Sequence, residues 1–263
     1  MSVIITAVVS VTTIGVICAI ILNVASQLMY VKVDFRVAQL VDAMPGANCG
    51  ACGYPGCEGF AVGLAAGEAK ANLCTPGGPE LLVKISEILG IEAESIEPKT
   101  AICHCMGDLH VRQKKMDYLG IKTCAAEKQL FGGENACAFG CLGYGDCQKV
   151  CPSNAICMVD GLARVITSSC TGCNLCVKIC PSKLFSLQNA SIPVVIACKN
   201  TEKGAVVRKK CSTGCIACTK CVKECPDGAI TIIDNLAVLD YSKCSGCGKC
   251  VDVCMTKCIR NLK

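Results

Sequence analysis

Cys49, Cys52 and Cys57 fall within the ten residues NCGACGYPGC, and Cys74 follows after sixteen more. Thiols at such spacing can cross-link, hold zinc, or hold an iron–sulfur cluster. The chain repeats the device, for 28 of its 263 residues are cysteine. Disulfide scaffolds of that density are short and secreted. This chain is long, and its first charged side chain is Lys32, so a signal peptide would lack its basic region. Four-cysteine zinc sites use two C-x2-C pairs a dozen or more residues apart. Here the later runs are triplets closed by a fourth cysteine: CTGCNLCVKICP and CIACTKCVKECP both read C-x2-C-x2-C-x3-C-P. That spacing serves paired [4Fe-4S] clusters, the fourth cysteine of each run going to the other cluster. Three thiolates on one tight loop cap three irons, and the fourth iron takes a ligand from elsewhere. The proline ends the turn and removes an amide donor.

These runs belong to a duplication. Cys124, Cys137, Cys141, Cys147 and Cys151 recur 74 residues later as Cys198, Cys211, Cys215, Cys221 and Cys225. Cys170, Cys173, Cys176 and Cys180 recur at the same offset as Cys244, Cys247, Cys250 and Cys254, and DGLARVITSSC aligns with DNLAVLDYSKC. In the second repeat the crossed rule predicts one cluster on Cys215, Cys218, Cys221 and Cys254. It predicts another on Cys244, Cys247, Cys250 and Cys225, with Met255 where the run would close on proline. In the first repeat Cys170, Cys173, Cys176 and Cys151 make a complete set. Their companion has Cys141, Cys147 and Cys180, but Tyr144 stands at the position of Cys218. Either an outside thiol completes it, with Cys137 the nearest and Cys105 a further choice, or the site is a three-iron cluster. Cys105, Cys124, Cys198 and Cys211 form the remaining candidate set, against the alternative that they are small buried thiols. Cys103, Cys157 and Cys258 have no counterpart at the offset and are read as non-ligands. The opening four thiols predict a separate cluster, whose loop glycines let backbone amides approach it. The expectation is about six [4Fe-4S] clusters on 24 thiolates.

The elements that must position these thiols read as an α+β chain. Residues 3–25 are apolar apart from small hydroxyls and Asn23, long enough to cross a hydrocarbon core of ~30 Å. Cys18 inside that span is a packing residue. Lys32 and Arg36 follow the span and nothing basic precedes it but the amino terminus, which predicts a single pass through the cell (inner) membrane with the bulk on the cytoplasmic side. Four parts are expected: a transmembrane anchor over 1–30, a small and mostly helical four-cysteine domain over 31–100, and two tandem two-cluster modules over 101–190 and 191–263. PELLVKISEILGI, residues 79–91, carries apolar residues at helical spacing, whereas AITII and LAVLD suit strands. CVKIC and CVKEC are tight turns leading into short helices. With 4% aromatic residues and no tryptophan, clusters would fill much of the interior and folding would depend on them. The formal charge of +5 counts every cysteine as neutral; about −2 per oxidised four-thiolate cluster reverses it, so no nucleic-acid surface is read.

Other chemistry is missing from the sequence. No GxGxxG follows a strand, and there is no Walker loop or flavin attachment motif. His104 and His110 are the two histidines, and both are expected in packing or surface roles. RQKK, Arg112 to Lys115, is expected to be a solvated face. The chain would carry electrons without activating a substrate.

One N-terminal span, then C-x2-C-x4-C-x16-C, then tandem ferredoxin-type runs resembles the B-subunit family of the Rnf complex. The resemblance rests on NCGACGYPGC with Cys74, on GCLGYGDCQKVCP and on the later runs, and covers nearly the whole chain. It implies an electron-transfer subunit of a membrane-bound ferredoxin:NAD⁺ oxidoreductase that couples electron flow to sodium or proton translocation. The B subunit of that family takes electrons from reduced ferredoxin and hands them to partner subunits holding flavin, the NAD site and the ion path. Two other readings compete. A membrane-tethered iron–sulfur redox sensor would need an output domain, and a ferredoxin-like subunit of a soluble dehydrogenase would bury the N-terminal run as a docking helix.

Overall fold

The computed structural model describes residues 2–28, 34–92 and 99–262. The apolar run folds as helix α1, Ser2–Leu28. Its 27 residues reach about 40 Å at the α-helical rise, more than a hydrocarbon core needs. None of its most apolar window, Val8–Gln27, is buried inside the protein, and side chains such as Val8, Val9, Val11, Ile14 and Ile17 are exposed around its circumference. Thr12 and Thr13 donate their hydroxyls to the carbonyls of Val8 and Val9 one turn back, which hides their polarity from an apolar surrounding. Lys32, on which the expected orientation partly rests, lies outside the described residues. Arg36 is described and pairs with Asp34 at 2.6 Å, where the Asp34 carboxylate also caps the next helix.

That helix is α2, Phe35–Ala43; it packs with α3, Gly56–Ala65, and α4, Gly78–Leu89. The spacing of PELLVKISEILG is the reason for α4: Leu81, Leu82 and Ile85 fall on one stripe and are buried. Gly90 ends the helix in the left-handed region at φ 67°, its N–H returning to the Ser86 carbonyl. Leu40, Phe60, Leu64, Leu81 and Ile85 form a core with Cys74 among them.

The rest is two modules of paired two-stranded sheets. In the first, β1 (Lys99–Cys103) pairs antiparallel with β4 (Phe185–Asn189), and β2 (Ile156–Val159) with β3 (Leu162–Val165). In the second, β5 (Val194–Ile196) pairs with β8 (Ile259–Asn261), and β6 (Ile230–Ile233) with β7 (Leu236–Leu239). Five short helices carry cysteines at or beside their starts and ends: α5 (Cys124–Gln129), α6 (Asp146–Lys149), α7 (Leu175–Ile179), α8 (Gly204–Lys210) and α9 (Lys220–Glu224). A sixth, α10 (Lys249–Asp252), holds Cys250. Each module has its own core, one around Ile156, Leu162, Leu184 and Phe185, the other around Val194, Ile230, Leu239 and Ile259. Ile102, Val195 and Ala197 pack together between them. His104 adds a polar stitch there, 2.8 Å from the Ile196 carbonyl and 2.6 Å from Ser186 Oγ.

The strand register corrects one reading of the repeat. Leu187 faces Ala101, and Asn261 faces Val194. Leu187 and Asn261 are the same repeat position, so Ala101 matches Val194, and Cys105 matches Cys198. The fixed offset matches Cys198 with Cys124 instead. Cys124 sits in an insertion of the first module, which runs from β1 through α5 before the shared pattern resumes at Cys137.

Candidate metal centre

The opening loop is shaped by a side chain. Asn48, itself at φ 46°, accepts the Cys57 N–H through Oδ1 at 2.8 Å, at the start of α3. Gly56 lies beneath it at φ 87°, where a Cβ would stand 2.9 Å from that Oδ1. The loop thereby turns Cys49, Cys52 and Cys57 onto one cavity of about 320 Å³, which Cys74 closes from the far side. Burial raises the Cys74 pKa, and the Cys52, Cys49 and Cys57 thiols add to the rise.

In the first module Cys151, Cys170, Cys173 and Cys176 act on one another: Cys176 is pushed up to about 12 by burial and then by Cys170, Cys173 and Cys151. Backbone amides point at two of them, Ala155 N to Cys151 Sγ and Ala101 N to Cys170 Sγ, each at 3.3 Å. Gly172 makes the loop possible. At φ 66° its absent Cβ would fall 2.5 Å from the Lys99 carbonyl oxygen.

A cavity of the first module, about 350 Å³, is lined by Cys141, Cys147, Cys180 and Cys124. The insertion therefore brings Cys124, not Cys137, to the place that Tyr144 leaves without a thiol. Its means is the N-terminus of α5, where Thr123 caps Ala126 and Asp146 accepts the Ala125 N–H. Cys147 is driven up to about 12 by burial, with Cys141, Cys124 and Cys180 next in effect.

Cys137 turns instead to a cavity of about 320 Å³ shared with Cys105, Cys198 and Cys211. Two thiols come from each module. Cys105 and Cys198 follow the matched strands β1 and β5, and Cys137 and Cys211 are the same repeat position. Asn200, which nothing in the sequence singles out, donates Nδ2 to Cys137 Sγ at 3.4 Å. In the RQKK stretch Gln113, Lys114 and Lys115 are exposed, as a solvated face requires, and Arg112 alone is buried. The stretch lies across this junction, with Gln113 N donating to Lys210 O and Ser212 N to Val111 O. Arg112 is buried and donates Nη1 to the carbonyls of Cys141 at 2.6 Å and Gly161 at 3.2 Å. Lys114 pairs with Glu134 at 3.2 Å.

In the second module Cys215, Cys218, Cys221 and Cys254 line a cavity of about 330 Å³, and Cys258 lines it too. The Cys258 Sγ lies 3.6 Å from Cys254 Sγ, and hydrogen bonding with Cys258 lowers Cys254 and Cys215 while it raises Cys258 itself. Cys225, Cys244 and Cys250 gather at the next position: burial pushes Cys250 up to about 11, with Cys225 and Cys244 adding. Cys247 is exposed on the same loop. Cys103 is buried in the first module core among Cys105, Cys141 and Cys147, and Cys157 donates to the Arg164 carbonyl; neither lines one of these cavities.

The sets suit [4Fe-4S] clusters on three grounds. The thiols of four sets line a cavity instead of converging on a point, and among the described residues no His, Cys, Asp or Glu group closes around a single ion. Backbone N–H groups aim at sulfur, including Leu184 N at Cys180 and Gly246 N at Cys244, both at 3.4 Å. Crowded, buried thiols as high as about 12 at Cys105, Cys147 and Cys176 would keep their protons unless positive iron let them ionise together.

The six sets also stand in a row. Cys49 is close enough to raise the Cys173 pKa, and Lys178 Nζ reaches Gly50 O at 3.2 Å. Cys176 acts on Cys147. Cys141 N donates to Cys105 Sγ at 3.5 Å, Cys215 N donates to Cys198 Sγ at 3.3 Å, and Cys221 acts on Cys250. Hydrogen bonds thus join the first set to the second, the third to the fourth and the fourth to the fifth, while electrostatic coupling between thiols brings the second near the third and the fifth near the sixth.

Residues 44–76 match the family described as "Putative Fe-S cluster", and residues 169–230 and 214–258 match two 4Fe-4S dicluster domain families. The first dicluster match straddles the modules, although the strands pair within each. The chain is 39% identical to the B subunit of the Na(+)-translocating ferredoxin:NAD(+) oxidoreductase complex of Acetobacterium woodii, over 93% of this chain and 74% of that one. It is 41% identical to the proton-translocating counterpart of Clostridium ljungdahlii, over 94% and 87%. The chain belongs to the Rnf B-subunit family. A third member, the B subunit of the ion-translocating oxidoreductase complex of Methanosarcina acetivorans, is 34% identical over 98% of both chains. Rnf B subunits are thus matched from the apolar helix to the last cysteine loop, as the motif ensemble implied.

Proposed function

We propose that this chain is the electron-carrying iron–sulfur subunit of a membrane-bound, ion-translocating ferredoxin:NAD⁺ oxidoreductase complex, and that its thiols hold six [4Fe-4S] clusters. The clusters supply one-electron carriage. The chain's own part is to hold them in line and dry. The assigned ligands are Cys49, Cys52, Cys57 and Cys74; Cys151, Cys170, Cys173 and Cys176; Cys124, Cys141, Cys147 and Cys180; Cys105, Cys137, Cys198 and Cys211; Cys215, Cys218, Cys221 and Cys254; and Cys225, Cys244, Cys247 and Cys250.

The observation that carries the reading is the succession itself, six thiol sets of which each lies near the next. α1, apolar on all sides, is the membrane anchor, and Lys32 with Arg36 on its exit side argues for a cytoplasmic bulk. The N-terminal four-cysteine set, one end of the row, is held close in sequence to that anchor. Reduced ferredoxin is the electron donor, and partner subunits supply flavin and the NAD site. The names of the Acetobacterium and Clostridium relatives support that pairing of ferredoxin with NAD⁺.

Iron and sulfide assay of the anaerobically purified chain tests the count. About 24 irons per chain are expected, whereas near-stoichiometric zinc or about eight irons would refute the proposal. Titration with reduced ferredoxin, followed by spin resonance, tests the donor; clusters left oxidised would remove the relay.

A further inference from the structure

The cavity of Cys215, Cys218, Cys221 and Cys254 has five thiols on its wall, not four. The fifth, Cys258, is buried at 2% exposure, and its Sγ lies 3.6 Å from Cys254 Sγ. The fold builds this position in both modules. Lys183 and Lys257, the same repeat position, both turn through the left-handed region, at φ 50° and φ 54°. The next residue then meets the partner strand in the same way: His104 N donates to Leu184 O at 2.8 Å, and Ala197 N to Cys258 O at 2.7 Å. In the first module that residue is Leu184, which lines the cavity of Cys124, Cys141, Cys147 and Cys180 as inert hydrocarbon. In the second it carries a thiol, fixed by β8 and aimed at the same wall as Cys254. Met255 also stands where the matching run has Pro181, so the turn that presents Cys254 lacks the ring that stiffens its counterpart.

We propose that Cys258 is a reserve ligand for the iron held by Cys254, taking that iron when the Cys254 thiolate is missing or lets go. The inference rests on the ligand sets proposed above. In the exchange the iron–sulfur bond to Cys254 breaks and one to Cys258 forms. The Cys258 proton passes to the departing Cys254 thiolate, and no electron is gained or lost. The two sulfurs are near enough for the swap to need rotation of side chains alone, with β8 and the backbone turn unmoved.

The test is iron and sulfide content, with low-temperature spin resonance of the reduced full-length chain, for Cys254→Ala, for Cys254→Ala/Cys258→Ala, and for Cys180→Ala in the first module. Cys254→Ala is expected to keep the wild-type load of about 24 irons with the signal of one cluster altered. The double variant is expected to lose that cluster, about four irons. Cys180→Ala, with Leu184 in the reserve position, is expected to lose iron as a single variant. Cys254→Ala that loses as much iron as the double variant, or that is recovered only as aggregate, would overturn the inference. A wild-type chain far below about 24 irons would instead refute the ligand reading itself.

Discussion

Replacing Cys124 with alanine gives the sharpest test of the ligand sets, because sequence spacing and structure disagree there. Cys124 lines the cavity of Cys141, Cys147 and Cys180, and Tyr144 occupies the motif position of Cys218. Removing the Cys124 thiol leaves three sulfurs for four irons. The loss is about one iron if the three thiolates keep a three-iron cluster, and about four if they keep none, out of about 24. The affected set is third in the row of six, joined to the second through Cys176 and Cys147 and to the fourth through Cys141 and Cys105. Ferredoxin-driven reduction should then stop on one side of the lesion, and partner reduction in the assembled complex should fall by at least tenfold. Adding Tyr144→Cys to the variant restores the C-x2-C-x2-C run of the second module and should return the missing iron. The assay is iron content and spin resonance of Cys124→Ala, Cys137→Ala and Cys124→Ala/Tyr144→Cys. If Cys137→Ala rather than Cys124→Ala disturbs this cluster, or if Tyr144→Cys restores nothing, the assignment is wrong.

Arg112→Met should destabilise the chain by about 2–4 kcal/mol in denaturant unfolding, since it strips a buried charged donor from the Cys141 and Gly161 carbonyls; an unchanged midpoint would show the guanidinium to be dispensable. Deleting residues 2–28 should move the protein from the membrane to the soluble fraction without changing its iron content, because no part of the Val8–Gln27 window is buried against the rest. The Glu202 pKa is lowered, chiefly by its hydrogen bond from Lys210, from the ordinary 4.5. A depressed carboxyl contributes stability that is present above its unfolded pKa and is lost as pH falls through the lower folded value. Wild type should therefore lose more stability than Glu202→Gln on acidification below about 4.5, and parallel melting profiles for the two would refute that role.

Much of this could be read from spacing. The apolar N-terminal run and the stripe of Leu81, Leu82 and Ile85 are local patterns, and each produced the expected element, whereas CVKIC and CVKEC, expected as turns leading into helices, are themselves most of the short helices α7 and α9. What spacing could not supply was pairing at a distance. Cys124 and Cys198 share an offset of 74 residues, yet strand register matches Cys198 to Cys105, because an insertion in the first module shifts its early residues. Only β1 against β4 and β5 against β8 expose that shift. Arg112 carried no signal, as its burial depends on carbonyls 29 and 49 residues away. Cys258 did carry one, four residues after Cys254, but the absence of a repeat counterpart argues against it until the shared cavity is seen.

The thiol set contributed equally by the two modules has a mechanical consequence. An inorganic cube gripped by Cys105 and Cys137 on one side and by Cys198 and Cys211 on the other would act as a rivet, so the halves of the duplication could neither be expressed apart in finished form nor swing against each other. The opening four-cysteine domain meets its neighbour through softer links, such as Thr75 to the Gly172 carbonyl and Lys178 to the Gly50 carbonyl. If this protein flexes while its complex works, the give belongs at that joint, nearest the anchor, and the two modules beyond it would move as one body.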